Sequence, residues 1–168
     1  MNFKAFKMDG LGNDFVIIDC RSEEINLSKK QVIKICNRDF LGCDQLIIIN
    51  KSNNADAELT FYNSDGSESS ACGNGTRCVA FFIFKETKKS IINLKTKNGF
   101  LKSEILGKNL VETVIGKAKT DWRDIPISKN INTKNLNIKI EDNNKNLIIG
   151  GTAVNVGNPH IIFFVDNI

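Results

Sequence analysis

The chain has 168 residues, 41% of them hydrophobic and 25% charged, a balance that suits one folded domain or two small ones and excludes an intrinsically disordered chain. Lys plus Arg number 23 against 19 for Asp plus Glu, a formal charge of +4, and the excess lysines are scattered, so no nucleic-acid surface is indicated. No apolar run reaches the roughly 18 residues of a membrane helix, Met1-Asn2-Phe3-Lys4 lacks a leader layout, and the five cysteines fit neither disulfide nor zinc spacing, so a cytoplasmic chain with free thiols and no metal is expected.

Asn2 to Met8 and Phe15 to Cys20 read as strands around a turn whose Gly10 and Gly12 do not continue into a dinucleotide fingerprint, because position 15 is Phe15. Ser28 and Gln31 form a capping-box pair, and Val32, Ile35 and Cys36 line one face of a helix running to Arg38. Leu46 to Ile49 is a continuous apolar run, the mark of a strand buried on both faces. Ala57 to Asn63 alternates and predicts a strand with one buried face. Residues 63–70 hold only turn formers and polar side chains, hence a surface loop. Cys78 to Phe84 is apolar throughout and predicts a helix buried all round, starting near Gly73 or Asn74 and ending near Glu86.

Beyond this helix the pattern is β-rich. Ile91 to Lys97 and Phe100 to Leu106 flank Asn98-Gly99, a hairpin signal, and Asn109 to Ile115 follows as a strand. Gly116 to Asn130 reads as a crossing segment. Leu136 to Ile140, Leu147 to Gly150 and Ile161 to Val165 are further predicted strands, the first two joined by Asp142-Asn143-Asn144.

Cys72 is the residue that points to chemistry. It sits before a predicted helix N-terminus, where amides lack internal partners and the helix dipole is positive; both favour a thiolate and lower the thiol pKa. The amides of Gly73, Asn74 and Gly75 could hold a carboxylate, with glycine letting it approach the backbone. The alternative is a cysteine that fills space beside a turn. Cys20, Cys36 and Cys78 lie in helix or strand patterns and read as core fillers, while Cys43 sits in a loop. His160, the single histidine, follows Asn158-Pro159 into a strand and reads either as a proton-handling group at a pocket rim or as a bystander.

Taken in order, Gly10-Leu11-Gly12-Asn13-Asp14-Phe15, Asp44-Gln45-Leu46, Asn63-Ser64-Asp65-Gly66-Ser67-Glu68, Cys72-Gly73-Asn74-Gly75-Thr76-Arg77-Cys78 and Gly157-Asn158-Pro159-His160 resemble the diaminopimelate epimerase family across nearly the whole chain. The resemblance implies interconversion of LL- and meso-2,6-diaminopimelate for lysine and peptidoglycan precursors, with no cofactor. Two cysteines work on opposite faces of the α-carbon. By resemblance, Cys72 and His160 are catalytic, and Asn13, Gln45, Asn63, Gly73, Asn74 and Asn158 contact substrate. The implied fold is α+β, a curved sheet wrapped around a central apolar helix in each of two pseudo-symmetric halves. Residues 1–116 then make a nearly complete first domain and 117–168 the opening strands of an incomplete second. The family's other cysteine, in a second Cys-Gly motif, and its Glu-Arg pair belong to a longer chain. The 168 residues alone are therefore expected to be inactive, with a C-terminal half or a second copy as partner. Two other readings stay open: a racemase of the same fold acting on another amino acid, and a non-catalytic carboxylate-binding half. Cys43 departs from the family, which generally has another residue there.

Overall fold

The computed structural model describes residues 3–70, 72–141, 143 and 145–165. The chain divides into two compact units, Met1–Ile115 and Gly116–Ile168.

The first unit is built from β1 (Ala5–Gly10), β2 (Asn13–Cys20), α1 (Lys29–Cys36), β3 (Gln45–Asn50), β4 (Ala57–Asn63), β5 (Glu68–Ser69), α2 (Gly73–Thr87), β6 (Ile91–Thr96), β7 (Gly99–Gly107) and β8 (Leu110–Val114). Its strands form one sheet in the order β1-β2-β3-β4-β6-β7-β8, with the two residues of β5 paired to the end of β4. Two neighbours run parallel, β2 with β3 through α1 and β4 with β6 through α2; the other pairs are antiparallel. Both crossovers step the same way across the sheet, but β4 and β6 run opposite to β2 and β3. Right-handed connections must then put the two helices on opposite faces.

The side chains agree. Phe15, Ile17, Ile47, Ile49, Leu59 and Phe61 form one buried cluster with Val79, Ala80 and Ile83 of α2. Val16, Ile18, Leu46 and Ile48 form another with Val32, Ile35 and Cys36 of α1. The period-2 pleat of β2 and β3 thus feeds two cores, which is why both strands read as apolar runs. Each fully buried large side chain is worth about 1.5–3 kcal/mol. The sheet curls around α2 so that both edge strands reach it: Phe6 of β1 lies 4.7 Å from the Phe82 ring, and Val111 of β8 packs on the same core.

Several elements differ from the sequence expectations. The first strand runs on through Gly10 because Leu11 and Gly12, both at positive φ, make a two-residue turn of the primed kind that matches strand twist. Asn2, where that strand was expected to begin, lies outside the described residues. The capping box at Ser28 is present, but α1 ends at Cys36 rather than Arg38. The polar loop contains β5, paired through Phe61↔Ser69 and Tyr62↔Glu68. The helix α2 starts where predicted and ends one residue later, but it is not buried all round: Phe81, Phe82 and Phe84 are half-buried. In the β6–β7 hairpin, Thr96 pairs with Gly99, so the turn residues are Lys97 and Asn98; Gly99, at φ +118, completes the turn rather than forming its centre.

The second unit starts with a short 3-10 turn, Trp122–Asp124. Two antiparallel hairpins follow: β9 (Ile138–Glu141) with β10 (Leu147–Gly150), and β11 (Thr152–Asn155) with β12 (Pro159–Ile162). The strand β11 was not expected, and β12 lies earlier than Ile161–Val165. Pro159 can open a strand because it has no N–H to leave unpaired there. Asp142 and Asn144 of the predicted turn fall outside the described residues. Lys119 and Asn155 exchange backbone hydrogen bonds of 2.8 and 2.9 Å, and Ala153, Ile125 and Thr133 are buried. Leu147, Ile149, Ile161 and Phe164 are exposed.

Candidate active site

Asn13, Gln45 and Asn63 come from three strands, yet the pleat places them on one face. Each lies two residues from a core side chain of the α2 side, Phe15, Ile47 and Phe61 respectively. The register Phe15↔Gln45↔Asn63 brings them to the same end of the sheet. The N-terminus of α2 is seated there too. A Cβ on Gly75 would lie 2.7 Å from Ile47 Cδ1, 3.2 Å from Phe61 Cε1 and 3.4 Å from Phe15 Cε1. Glycine is needed at position 75 because the helix presses against the sheet at this point.

Cys72 is the N-cap of α2. Its Sγ receives the N–H of Gly75 at 3.4 Å, and its carbonyl accepts the N–H of Thr76 at 2.9 Å and the Thr76 hydroxyl at 2.7 Å. The side chain is half-buried against the α2 core. Burial pushes the Cys72 thiol above the ordinary cysteine range, while the backbone amides of Gly75 and Asn74 and the Arg77 cation pull it down. The expected lowering does not prevail, because desolvation of the thiolate outweighs the pull of the helix-terminus amides. Burial makes the Cys72 thiolate more basic, while the neighbouring amides and Arg77 favour its formation.

The amides form a rim of two hydrogen-bonded sets. Asn74 Nδ2 donates to Asn13 Oδ1 at 2.8 Å, and Arg77 donates to Asn74 Oδ1. Asn13 Nδ2 donates to Asp44 at 3.4 Å. Gln45 Nε2 donates to Asn63 Oδ1 at 2.9 Å, and Asn63 Nδ2 donates to Ser67 Oγ at 3.1 Å. The structure therefore brings Asn13 to Asn74 and Gln45 to Asn63, beside Cys72 and Gly73. Asn158 and His160 belong to the second unit: the Asn158 carbonyl accepts the Val156 N–H at 3.4 Å, and His160 pairs with Val154 on β12, exposed.

Sequence reasoning missed the charged buttress behind this rim. Asp14 is paired with Arg38 and with Lys7 at 2.8 Å, and Arg38 reaches Asp44 at 2.7 Å. Asp44 also takes the Asp14 N–H at 3.1 Å. Arg38 and Lys7 together hold the Asp14 carboxyl far below the usual carboxylate range despite partial desolvation. The signal was present, since Asp14 and Asp44 adjoin Asn13 and Gln45 in the sequence, but Arg38 read only as the last residue of the predicted first helix. Arg77 stood inside the Cys72 motif without an assigned role. Among the described residues, no three His, Cys, Asp or Glu side chains are grouped as metal ligands.

A model of the diaminopimelate epimerase family matches residues 5–120. The chain belongs to the diaminopimelate epimerase family. It is 62% identical over 168 residues to a diaminopimelate epimerase of Pelagibacter ubique (strain HTCC1062), covering all of this chain and 61% of the relative. It is 39% identical over 163 residues to a diaminopimelate epimerase of Acidiphilium cryptum, covering 96% of this chain and 57% of the relative. The chain thus spans about three-fifths of the length of these diaminopimelate epimerases. Among solved structures, a probable proline racemase from Agrobacterium radiobacter K84 matches with a TM-score of 0.63 at 10% identity, over 96% of this chain and 52% of that one. That likeness shows the fold, an α+β curled sheet with few helices, as the resemblance implied.

Proposed function

We propose that this diaminopimelate epimerase-family chain supplies one thiol of a cofactor-independent epimerisation of 2,6-diaminopimelate, with Cys72 as the base. The observation that carries this reading is the seat of Cys72. Its Sγ sits at the start of α2 and takes the Gly75 N–H, at the end of the sheet that carries the paired amides of Asn13 with Asn74 and of Gln45 with Asn63. Removing an α-proton next to a carboxylate builds enediolate charge, and donors fixed before the reaction stabilise it without reorganising. Carboxamides both donate and accept, as an amino-acid zwitterion requires. Gly73 and Asn74 hold the substrate carboxylate, and Asn13, Gln45 and Asn63 bind the rest of the amino acid. Asn158 completes the binding set and His160 assists proton transfer from the second domain, residues 117–168.

Inversion needs a second acid on the opposite face of the α-carbon, because a single base returns the proton to the face it left. Cys72 heads the Cys-Gly-Asn-Gly motif of the 168 residues. The second thiol comes from a Cys-Gly segment of a longer chain or from a second copy. The exposed Leu147, Ile149, Ile161 and Phe164 of the second unit support a further covering sheet. The free thiols of all five cysteines suit work in the cytoplasm.

The test is substrate protection. Diaminopimelate should slow alkylation of Cys72 in the purified chain, measured peptide by peptide, whereas an unrelated dicarboxylate should not. Equal alkylation rates with and without diaminopimelate would overturn the assignment.

A further inference from the structure

The pair Cys36 and Cys43 is used by nothing in the proposed reaction. Cys36 ends α1 and Cys43 lies in the loop that returns to β3, and their sulfurs lie 3.5 Å apart. The loop is closed by backbone hydrogen bonds, Cys43 N–H to the Cys36 carbonyl and Gly42 N–H to the Ile35 carbonyl, both at 3.1 Å. Gly42 turns it at φ +65, where a Cβ would sit 2.9 Å from Arg38 Cα, so the return path is fixed by sterics. Both thiols are almost fully buried, 3% and 2% exposed, in the core shared by α1 and the sheet.

We propose that Cys36 and Cys43 form a redox modification site, oxidised to a disulfide by small hydroperoxides and reopened by dithiols. One sulfur attacks a peroxide oxygen and becomes a sulfenic acid as the O–O bond breaks and an alcohol or water leaves. The second sulfur attacks that sulfenic sulfur, forming the S–S bond and releasing water. In total two thiols and one hydroperoxide give one disulfide, one alcohol or water and one water, the sulfur pair losing the two electrons that the peroxide gains. A disulfide needs a sulfur separation of about 2.05 Å, so closure draws the two sulfurs together by roughly 1.5 Å. Cys36 is anchored by its helix, so the shift falls on Cys43. That residue directly precedes Asp44, which holds Asn13 and the Asp14 amide, and then Gln45, which holds Asn63. Closure of the pair therefore disturbs the amide rim. This consequence rests on the proposed function; the disulfide itself does not. Burial pushes the Cys36 thiol up, which makes the reaction slow and confines it to sustained oxidant.

The experiment treats the native chain, in wild-type and Cys72→Ser forms, with hydrogen peroxide, then blocks free thiols in denaturant and maps peptides by mass. The expected product joins the peptides of Cys36 and Cys43, two hydrogens lighter than the reduced pair, and is lost in Cys43→Ala and on dithiothreitol treatment. Recovery of both thiols free, or of either bonded elsewhere, overturns the site. The wild-type disulfide form is then assayed for diaminopimelate protection of Cys72, with at least a several-fold loss expected. Undiminished protection overturns the coupling to the rim. Absence of protection in the reduced protein is instead a failure of the proposed function, and the peptide map still decides the disulfide.

Discussion

Replacing Gly75 with alanine tests how α2 is seated. Gly75 is the third residue of the helix, and its added Cβ would meet Ile47 Cδ1 at 2.7 Å, a separation that forces a shift. Ile47 is fully buried, so its methyl has no empty space to enter. Overpacking of this kind costs about 1–3 kcal/mol, against at most about 1 kcal/mol gained from alanine over glycine in a helix. The net expectation for Gly75→Ala is a loss of about 1–2 kcal/mol, read as a lower urea midpoint by circular dichroism. Ile47→Val removes the offending methyl and costs about 0.5–1.5 kcal/mol alone. In that background Gly75→Ala should be neutral or stabilising, which gives a coupling of about 1 kcal/mol or more in the double-mutant cycle. Additivity within about 0.5 kcal/mol would refute the close approach as the reason for this glycine.

Four further outcomes follow from named contacts. Cys72→Ser should raise stability by a few tenths to about 1 kcal/mol, because a hydroxyl caps a helix better than sulfur, while removing the reactive thiol; a fall in the urea midpoint would contradict the capping geometry. Arg77→Gln should move the pH profile of Cys72 alkylation upward, since the guanidinium favours the thiolate, and an unchanged or lowered profile would deny that contact. Asp14, depressed by Arg38 and Lys7, stabilises the fold above the ordinary aspartate pKa of 3.8 and loses that contribution as pH falls through its lowered value. Asp14→Asn should thus flatten the acid limb of stability below about pH 4, less so in high salt, and an unaltered limb would count against the pairing. Lys88 caps α2 at φ +61, so Lys88→Gly should stabilise by about 0.5–1 kcal/mol in thermal melts, and destabilisation would mean the left-handed cap is not formed.

The helix with its cysteine at the cap was legible because three local signals coincide there: a polar loop, small residues and an apolar run. Its burial was over-read, since a run such as Phe81-Phe82 states hydrophobicity but not whether a curled sheet closes over it. The sign of the Cys72 shift was missed for a related reason. Helix-terminus effects can be read from local sequence, whereas desolvation depends on which distant strands pack nearby. The turn at Lys97-Asn98 slipped by one residue because an Asn-Gly pair fits two hairpin registers, and pairing of Thr96 with Gly99 decides between them. The strand β11 escaped because its four residues carry too short an alternation to stand out.

The placement of the amide rim follows from the core rather than from the rim residues themselves. Asn13, Gln45 and Asn63 share pleat parity with Phe15, Ile47 and Phe61, and those three side chains are the ones that meet the bare face of Gly75. One packing contact therefore sets both how deeply α2 seats on the sheet and how far Cys72 lies from the amides. A slip of one residue in β3 would send Gln45 to the α1 face and put Leu46 or Ile48 in the place of Ile47 under Gly75. The register that seats Ile47 under Gly75 is thus also the register that aligns Gln45 with Asn63. Mutations that merely loosen the core under Gly75 should weaken diaminopimelate protection of Cys72 before they unfold the chain.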